Sequence, residues 1–268
     1  MASPVVPRPA ATVLLLRDHP DPPDGRTPVQ VFLQRRVAGM AFAGGMTVFP
    51  GGSVDAADRP DPTRWVGPDP EWWGERFGHP AELGGALVQA AVRETFEECG
   101  VLLAGPDLPG GLDRHRGDLV ERRRTLAEVL AANGLSLRAD LLRPWSRWIT
   151  PTVSPRRYDT AFFAALVPEG QEADAHTTEA VEATWWHPAE ALERWQDGEM
   201  KLMTPTYRTL QEIAEHPDSA AVLAAAEHRE IRAIRPEVRR EGDERVVVLP
   251  DEPGTRLTGL SVPPERGA

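Results

Sequence analysis

Apolar residues along this chain recur with two periods, about two and about 3.6, and the switches between them predict strands interleaved with helices. Residues 11–17, built around the apolar run 13–16, read as a buried strand. Residues 29–36 set Val31 and Leu33 against Gln30 and Gln34, the alternation of a strand buried on one face. The proline-rich stretch between the two suits a hairpin loop. A short apolar strand at 46–49 is broken at Pro50-Gly51-Gly52, where the backbone must approach something closely. Residues 53–84 are acidic, rich in proline and carry Trp65, Trp72 and Trp73, the text of an inserted excursion with its own small apolar patch.

A helix is predicted from about 86 to 99, ended by Gly100, and a second, arginine-rich one over 118–133 with Gly134 behind it. Residues 160–167 and 180–186 read as strands. Pro188 opens a helix ending near Gly198, Thr204-Pro205 caps the next, and Asp218 caps a last one reaching about 233. Strands mixed with flanking helices give a layered α/β fold, and no repeat period is visible.

Composition narrows this picture. With 268 residues, 41% of them hydrophobic, the chain can bury a substantial core, and a single domain over 1–240 followed by a tail at 241–268 is expected. The 30 basic against 41 acidic residues give a net charge of −11, which opposes wrapping around a nucleic acid and requires a local cation for any anionic substrate. The lone Cys99 excludes an intramolecular disulfide and points to a reducing, cytoplasmic setting. Residues 1–11 carry no basic leader and the apolar run 13–16 is too short to span a bilayer, so no membrane partner is expected.

The chemistry concentrates in the first predicted helix. At ~100° per residue, Glu94, Glu97 and Glu98 fall within roughly one third of its circumference, opposite Val88, Val92, Thr95, Phe96 and Cys99. Packing the apolar side on a sheet leaves the glutamates facing a shared space. Like charges at these spacings repel by ~0.2–0.5 kcal/mol per pair in a bare helix, and a divalent cation removes that repulsion. Oxygen ligands suit Mg²⁺ or Mn²⁺, and Mg²⁺ takes few carboxylates, leaving its other positions to water and phosphate oxygens. Arg93 can pair with Glu97 one turn on or with an acid outside the helix. Taken alone, the cluster reads equally as a solvated acidic face, the commoner meaning of such groups.

The cluster does not stand alone. Arg93-Glu94-Thr95-Phe96-Glu97-Glu98-Cys99-Gly100-Val101 resembles the second half of the Nudix box, and Gly51-Gly52 after Val48-Phe49-Pro50 resembles the glycine turn and strand that begin it. The first half departs from the pattern: Gly52 to Arg93 is 41 positions where the pattern gives 14, so 27 residues are inserted, and Gly85 stands where the first glutamate is expected. Asp58 is the candidate stand-in, with a contact to Arg93 as its expected role. The expanded box, the stretch from Leu33 to Gly52, Trp148-Ile149-Thr150-Pro151, Arg156-Arg157-Tyr158-Asp159-Thr160 and Thr204-Pro205-Thr206 all resemble the branch that includes the peroxisomal coenzyme A diphosphatases.

That resemblance implies an α/β/α sandwich with a mixed curved sheet, an insertion at about 53–84 and extra C-terminal helices at about 188–233. It implies a hydrolase, dependent on Mg²⁺ or Mn²⁺, of a nucleoside diphosphate linked to another moiety. Coenzyme A or its acyl derivatives are the first choice of substrate, and ADP-ribose, NADH or a dinucleotide the alternatives. A non-catalytic nucleotide sensor on the same fold is the third reading, disfavoured because all three helix carboxylates are kept.

The implied metal ligands are Glu94, Glu97, Glu98 and the carbonyl of Gly51, with Arg93 completing the catalytic set and Glu94 serving as ligand or base. Glu179 and Glu182 are the later acids suited to a general base, and read equally as exposed charges. Arg35, Arg36, Arg156 and Arg157 are suited to bidentate phosphate contacts, although scattered surface arginines are as common. Of Trp185-Trp186 at least one belongs to the core, since neighbours on a strand face opposite ways. His187 receives no role and Cys99 is expected to be packed rather than nucleophilic. The expected partner is a small nucleotide, with homodimerisation left open.

Overall fold

The computed structural model describes residues 5–260 apart from 24, 41, 60–63, 107, 109, 178, 243, 251–254 and 259. Strands β1 (Arg8–Asp18) and β2 (Val29–Arg36) pair as an antiparallel hairpin. The short strand β3 (Thr47–Val48) then joins β2, and β4 (Gly51–Ser53) joins β1. The excursion holds β5 (Trp65–Val66) and α1 (Pro70–Phe77) before the long helix α2 (Ala81–Cys99). There follow β6 (Ala104–Gly105), α3 (Asp113–Val120), α4 (Leu126–Ala132) and β7 (Ser136–Arg138). Strands β8 (Arg143–Ile149), β9 (Tyr158–Leu166) and β10 (Ala180–Trp186) complete the body of the sheet. Helices α5 (Pro188–Gln196), α6 (Thr204–Ala214) and α7 (Ser219–His228) come next, then β11 (Ala233–Ile234), β12 (Glu237–Glu241), β13 (Glu244–Val248) and β14 (Arg256–Leu257).

The main sheet has the order β10-β2-β1-β9-β8-β11, with β3 and β4 attached at one end of β2 and β1. It is mixed, because β1 runs parallel to β9 while its pairing with β2 is antiparallel. Alternation along the strands sets the layers. Val13 and Leu15 of β1 point to the side where Val88, Val92 and Phe96 of α2 pack, and Leu14 and Leu16 point to Leu210, Ile213 and Val222 of the C-terminal helices. Burying side chains of this size stabilises the fold by about 1.5–3 kcal/mol each before conformational entropy is counted. The result is the α/β/α sandwich that the resemblance implied.

Several local expectations change. Strand β2 is buried on both faces: Gln30, 7% exposed, is covered by Arg17 and His187, and Gln34, 1% exposed, meets Glu98 at the end of α2. The excursion does not build a patch of its own. Asp69 caps α1 by accepting from the Trp72 amide at 2.9 Å, and Trp73 and Phe77 then pack on Phe163 of β9 with ring centroids 5.4 and 5.0 Å away, inside the main core. Helix α2 begins at Ala81 rather than about 86. Gly84 and Gly85 lie inside it, and a Cβ at Gly84 would collide with Pro70 and Gly74 of α1, so that glycine serves a close helix crossing.

The helix expected over 118–133 is two helices. Helix α3 stops at Val120, Arg122 adopts φ +56°, and Thr125 caps α4 in a reciprocal box with Glu128. Thr204 lies inside α6, whose cap position is Met203, and α7 ends at His228 because the segment beyond it pairs with β8 instead. Strand β8 and the hairpin β12–β13, which runs through position 240, had no counterpart in the sequence pattern. Among the described residues no helix is long and apolar enough to cross a membrane.

Candidate active site

The last two turns of α2 lie beside β4, and this juxtaposition follows from the glycine turn. Gly51 has φ +154°, a backbone conformation that side chains rarely allow, and a Cβ there would strike the backbone of β1. A Cβ at Gly52 would strike the carboxylate of Glu94. Gly51 is therefore needed for the bend to pass β1, and at Gly52 a side chain would displace the Glu94 carboxylate from its place.

Arg93 organises the acids. It is 8% exposed and makes a bidentate pair with Asp58, Nε to Oδ1 at 2.8 Å and Nη2 to Oδ2 at 2.9 Å. Its Nη1 reaches Glu94 Oε1 at 2.8 Å and Glu97 Oε2 at 3.2 Å, and Nη2 also donates to the Ser53 carbonyl at 3.1 Å. The expected Asp58–Arg93 contact is thus present, and Asp58 is steadied further by the Asp55 amide at 2.7 Å. Burial alone disfavours the Arg93 charge, but the hydrogen bonds to Asp58 and the fields of Glu94 and Glu97 outweigh it and raise its pKa. Asp58, Glu94 and Glu97 share this one guanidinium, so two of three negative charges stay uncompensated when all are ionised.

Glu98 is held differently. It is 4% exposed, and its Oε2 accepts from the Gly51 amide at 2.7 Å and from Gln34 Nε2 at 2.5 Å. Its Oε1 takes no hydrogen bond from any described residue. Burial, then the like charge of Glu94, pushes Glu98 up to about 8 against the pull of the Gly51 amide. Burial likewise carries Glu94 to about 7 despite Arg93, with Glu97 adding to the rise, and Glu97 is raised mainly by burial.

All three glutamates line a cavity of about 1230 Å³. Arg36, Arg116, Arg122 and Arg124 also line it, and its apolar wall includes Phe42, Trp148 and Tyr158. Val238 and Val247 of the C-terminal hairpin close one side. Among the described residues no three Asp, Glu, His or Cys side chains stand as a ready-made metal cage, because Arg93 draws Glu94 and Glu97 toward Nη1 and away from Glu98. The donor set still fits Mg²⁺ or Mn²⁺. It is all oxygen, it carries unbalanced negative charge, and Mg²⁺ needs only one or two carboxylates beside waters and substrate phosphate.

The other candidates divide. Arg36 lines the cavity and pairs with Glu179 at 2.9 Å, which also lines it, and both act electrostatically on Glu98. Arg35 and Glu182 are corrections: one residue along β2 from Arg36, Arg35 faces the opposite way and pairs with Glu182 at 3.3 Å in a shallow outer groove. Arg156 is exposed and does not line the cavity. Arg157 does not line it either, since it donates to the carbonyls of Thr150 and Val5 at 2.9 and 2.8 Å.

Trp185 packs on Phe32 under the Arg17 guanidinium, and Trp186 faces the outer groove. His187 is buried against the Val29 carbonyl. Cys99 is fully buried and burial pushes its thiol up to about 12, which fits packing rather than attack. The amide of Gly51 is the group that touches a site residue, on Glu98.

Two contributors were missed by pattern reading. Gln34 occupies a position that alternation assigns to solvent; its only signal was a polar residue two positions from Phe32 on the same strand face. Arg116 lies in a segment read as loop. It donates to the Glu97 carbonyl at 2.8 Å and to Asp174 at 2.6 Å, tying the end of α2 to the loop that precedes Glu179.

Comparison with known proteins bears on this geometry. A family model described as NUDT19 Nudix domain matches residues 76–213. The chain is 30% identical over 239 residues to human acyl-coenzyme A diphosphatase NUDT19, covering 73% of this chain and 62% of that protein. It is 28% identical over 202 residues to putative nudix hydrolase 7 of Caenorhabditis elegans, covering 72% and 58%. The chain spans about three fifths of the length of these curated relatives. The crystal structure of a Nudix hydrolase from Alicyclobacillus acidocaldarius superposes with a TM-score of 0.65 at 28% identity, over 82% of this chain and 96% of the other.

Proposed function

The chain belongs to the Nudix hydrolase family, and we propose that it is a metal-dependent diphosphatase acting on coenzyme A or its acyl derivatives. The observation that carries this reading is the glutamate face of α2 lining a large cavity against the Gly51-Gly52 bend. The substrate class draws support from the relatives named acyl-coenzyme A diphosphatase, to which this chain is about 30% identical.

In this reading Glu94, Glu97 and Glu98 hold the cation, Mg²⁺ or Mn²⁺, and the Gly51 carbonyl adds to the donor set. When bound, the cation offsets charge on the diphosphate oxygens and makes a water more acidic. Arg93 keeps Glu94 and Glu97 on one side of the helix, and Asp58 keeps Arg93 in place. Glu179, on the cavity wall and paired with Arg36, is the acid positioned to receive the proton of the attacking water. Arg36, Arg122 and Arg124, which line the cavity, are the cations available to an anionic substrate in a chain of net charge −11, Arg36 and Arg122 by exchange from their pairs with Glu179 and Asp55.

The test is a substrate panel with Mg²⁺ or Mn²⁺, read by mass spectrometry, run on the unaltered chain and on Glu98→Gln. Adenosine 3′,5′-bisphosphate together with a phosphopantetheine product, and a loss of at least about a hundredfold in Glu98→Gln, is the expected result. AMP plus a sugar phosphate from ADP-ribose, with coenzyme A untouched, would replace the substrate assignment. Intact ligand after long incubation would make the protein a binding module.

A further inference from the structure

We propose that Gln34 is a positioning residue for the metal site: it orients Glu98 so that one oxygen of that carboxylate is held for the protein and the other is offered to the cation. The inference rests on the reading that a divalent ion binds at Glu98.

Three observations support it. Gln34 Nε2 and the Gly51 amide both donate to the same oxygen, Oε2, at 2.5 and 2.7 Å, which fixes the rotation of the carboxylate and leaves Oε1 at the cavity. Both donors are neutral. They orient Glu98 without cancelling its charge, whereas Glu94 and Glu97 are both bound to the Arg93 guanidinium. A cation at this site meets no competing positive group hydrogen-bonded to Glu98. Third, Gln34 is 1% exposed and its own Oε1 has no hydrogen-bond partner.

A buried acceptor left unpaired in a central strand is unfavourable, and a leucine or methionine would fit the surrounding core without it. With Glu98 ionised the amide cannot turn over to relieve this, because that would set Gln34 Oε1 against the Glu98 oxygen. Gln34 is well placed to act as a rigid support, since β2 is paired at this residue with Ala183 of β10 and Val48 of β3. Partners of this kind, one bond removed from the metal, are worth about 10–100-fold in metal affinity.

The test compares the unaltered chain with Gln34→Met, which keeps the length and removes the donor. Mn²⁺ affinity is measured by electron paramagnetic resonance, and Mg²⁺-induced stabilisation by thermal melting, neither of which needs substrate. The expected result is cooperative melting of Gln34→Met in chelator, with Mn²⁺ dissociation about 10–100-fold weaker and a smaller Mg²⁺ shift. Should that variant fail to melt cooperatively, Gln34→Asn, whose shorter arm withdraws the donor, carries the same comparison. A Mn²⁺ affinity within twofold of the unaltered chain overturns this inference alone. Failure of the unaltered chain to bind Mn²⁺ at all overturns it together with the functional reading.

Discussion

Two buried acids lie on either side of the same helix turn and are treated in opposite ways. Asp58, 1% exposed, has both oxygens taken by Arg93 and one also by the Asp55 amide. Glu98, 4% exposed, has one oxygen taken by two neutral donors and the other open to the cavity. The first arrangement is closed: charge meets charge, the excursion is tied to α2, and nothing is left for a ligand. The second is open, with orientation supplied by donors that carry no charge of their own. The difference separates what holds the site together from what the site is for.

Breaking the closed corner should have the largest effect on stability. Arg93→Met leaves Asp58 buried without its partner and removes the group that spaces Glu94 from Glu97, and a loss of about 3–5 kcal/mol in chemical denaturation is expected. The same change in a surface pair such as Arg35–Glu182, with both side chains about half exposed, costs less than about 1 kcal/mol. An Arg93 variant as stable as the unaltered chain would erase the distinction between the corners.

The open corner should show itself as a pH dependence. Glu98 and Glu94 titrate near 8 and 7 in the folded protein, above ordinary carboxylates, so at intermediate pH the folded chain holds protons that the unfolded chain has released. In chelator, stability contributed by these protons is complete below about pH 4, falls as pH rises, and is gone above about pH 8, with a slope on the order of 1 kcal/mol per pH unit for each excess proton. Added Mg²⁺ should therefore stabilise more at pH 8 than at pH 6. Chelated protein whose stability climbs across that window would mean that the acids are satisfied without a cation.

The same contrast explains what could be read from the residues alone. Periodicity located the sheet strands of the first hairpin and the glutamate face because both are set by burial at short range. Asp58 was also within reach, because the resemblance to the Nudix box expects an acid after Gly52 that pairs with Arg93. Gln34 was not: its alternation with Val31 and Leu33 describes a solvent-facing residue, and only the arrival of α2 over that side of β2 turns it into a buried donor. Arg35 and Arg36 illustrate the limit from the other direction. Both have the chemistry of phosphate binding, but the strand turns only Arg36 to the cavity, and which of two neighbours faces inward depends on register. The start of α2 was read about five residues late, because Gly84, which serves a close helix crossing, is a poor helix former by propensity.

The central claim is that a divalent cation occupies the space between Glu98 and the Glu94–Glu97 pair. Anomalous scattering from crystals of the unaltered chain soaked in Mn²⁺ tests it most directly. The account predicts a peak at bonding distance from Oε1 of Glu98 and from at least one oxygen of Glu94 or Glu97. A cavity with no peak at saturating Mn²⁺, while Arg93 still bridges Glu94 and Glu97, would contradict it.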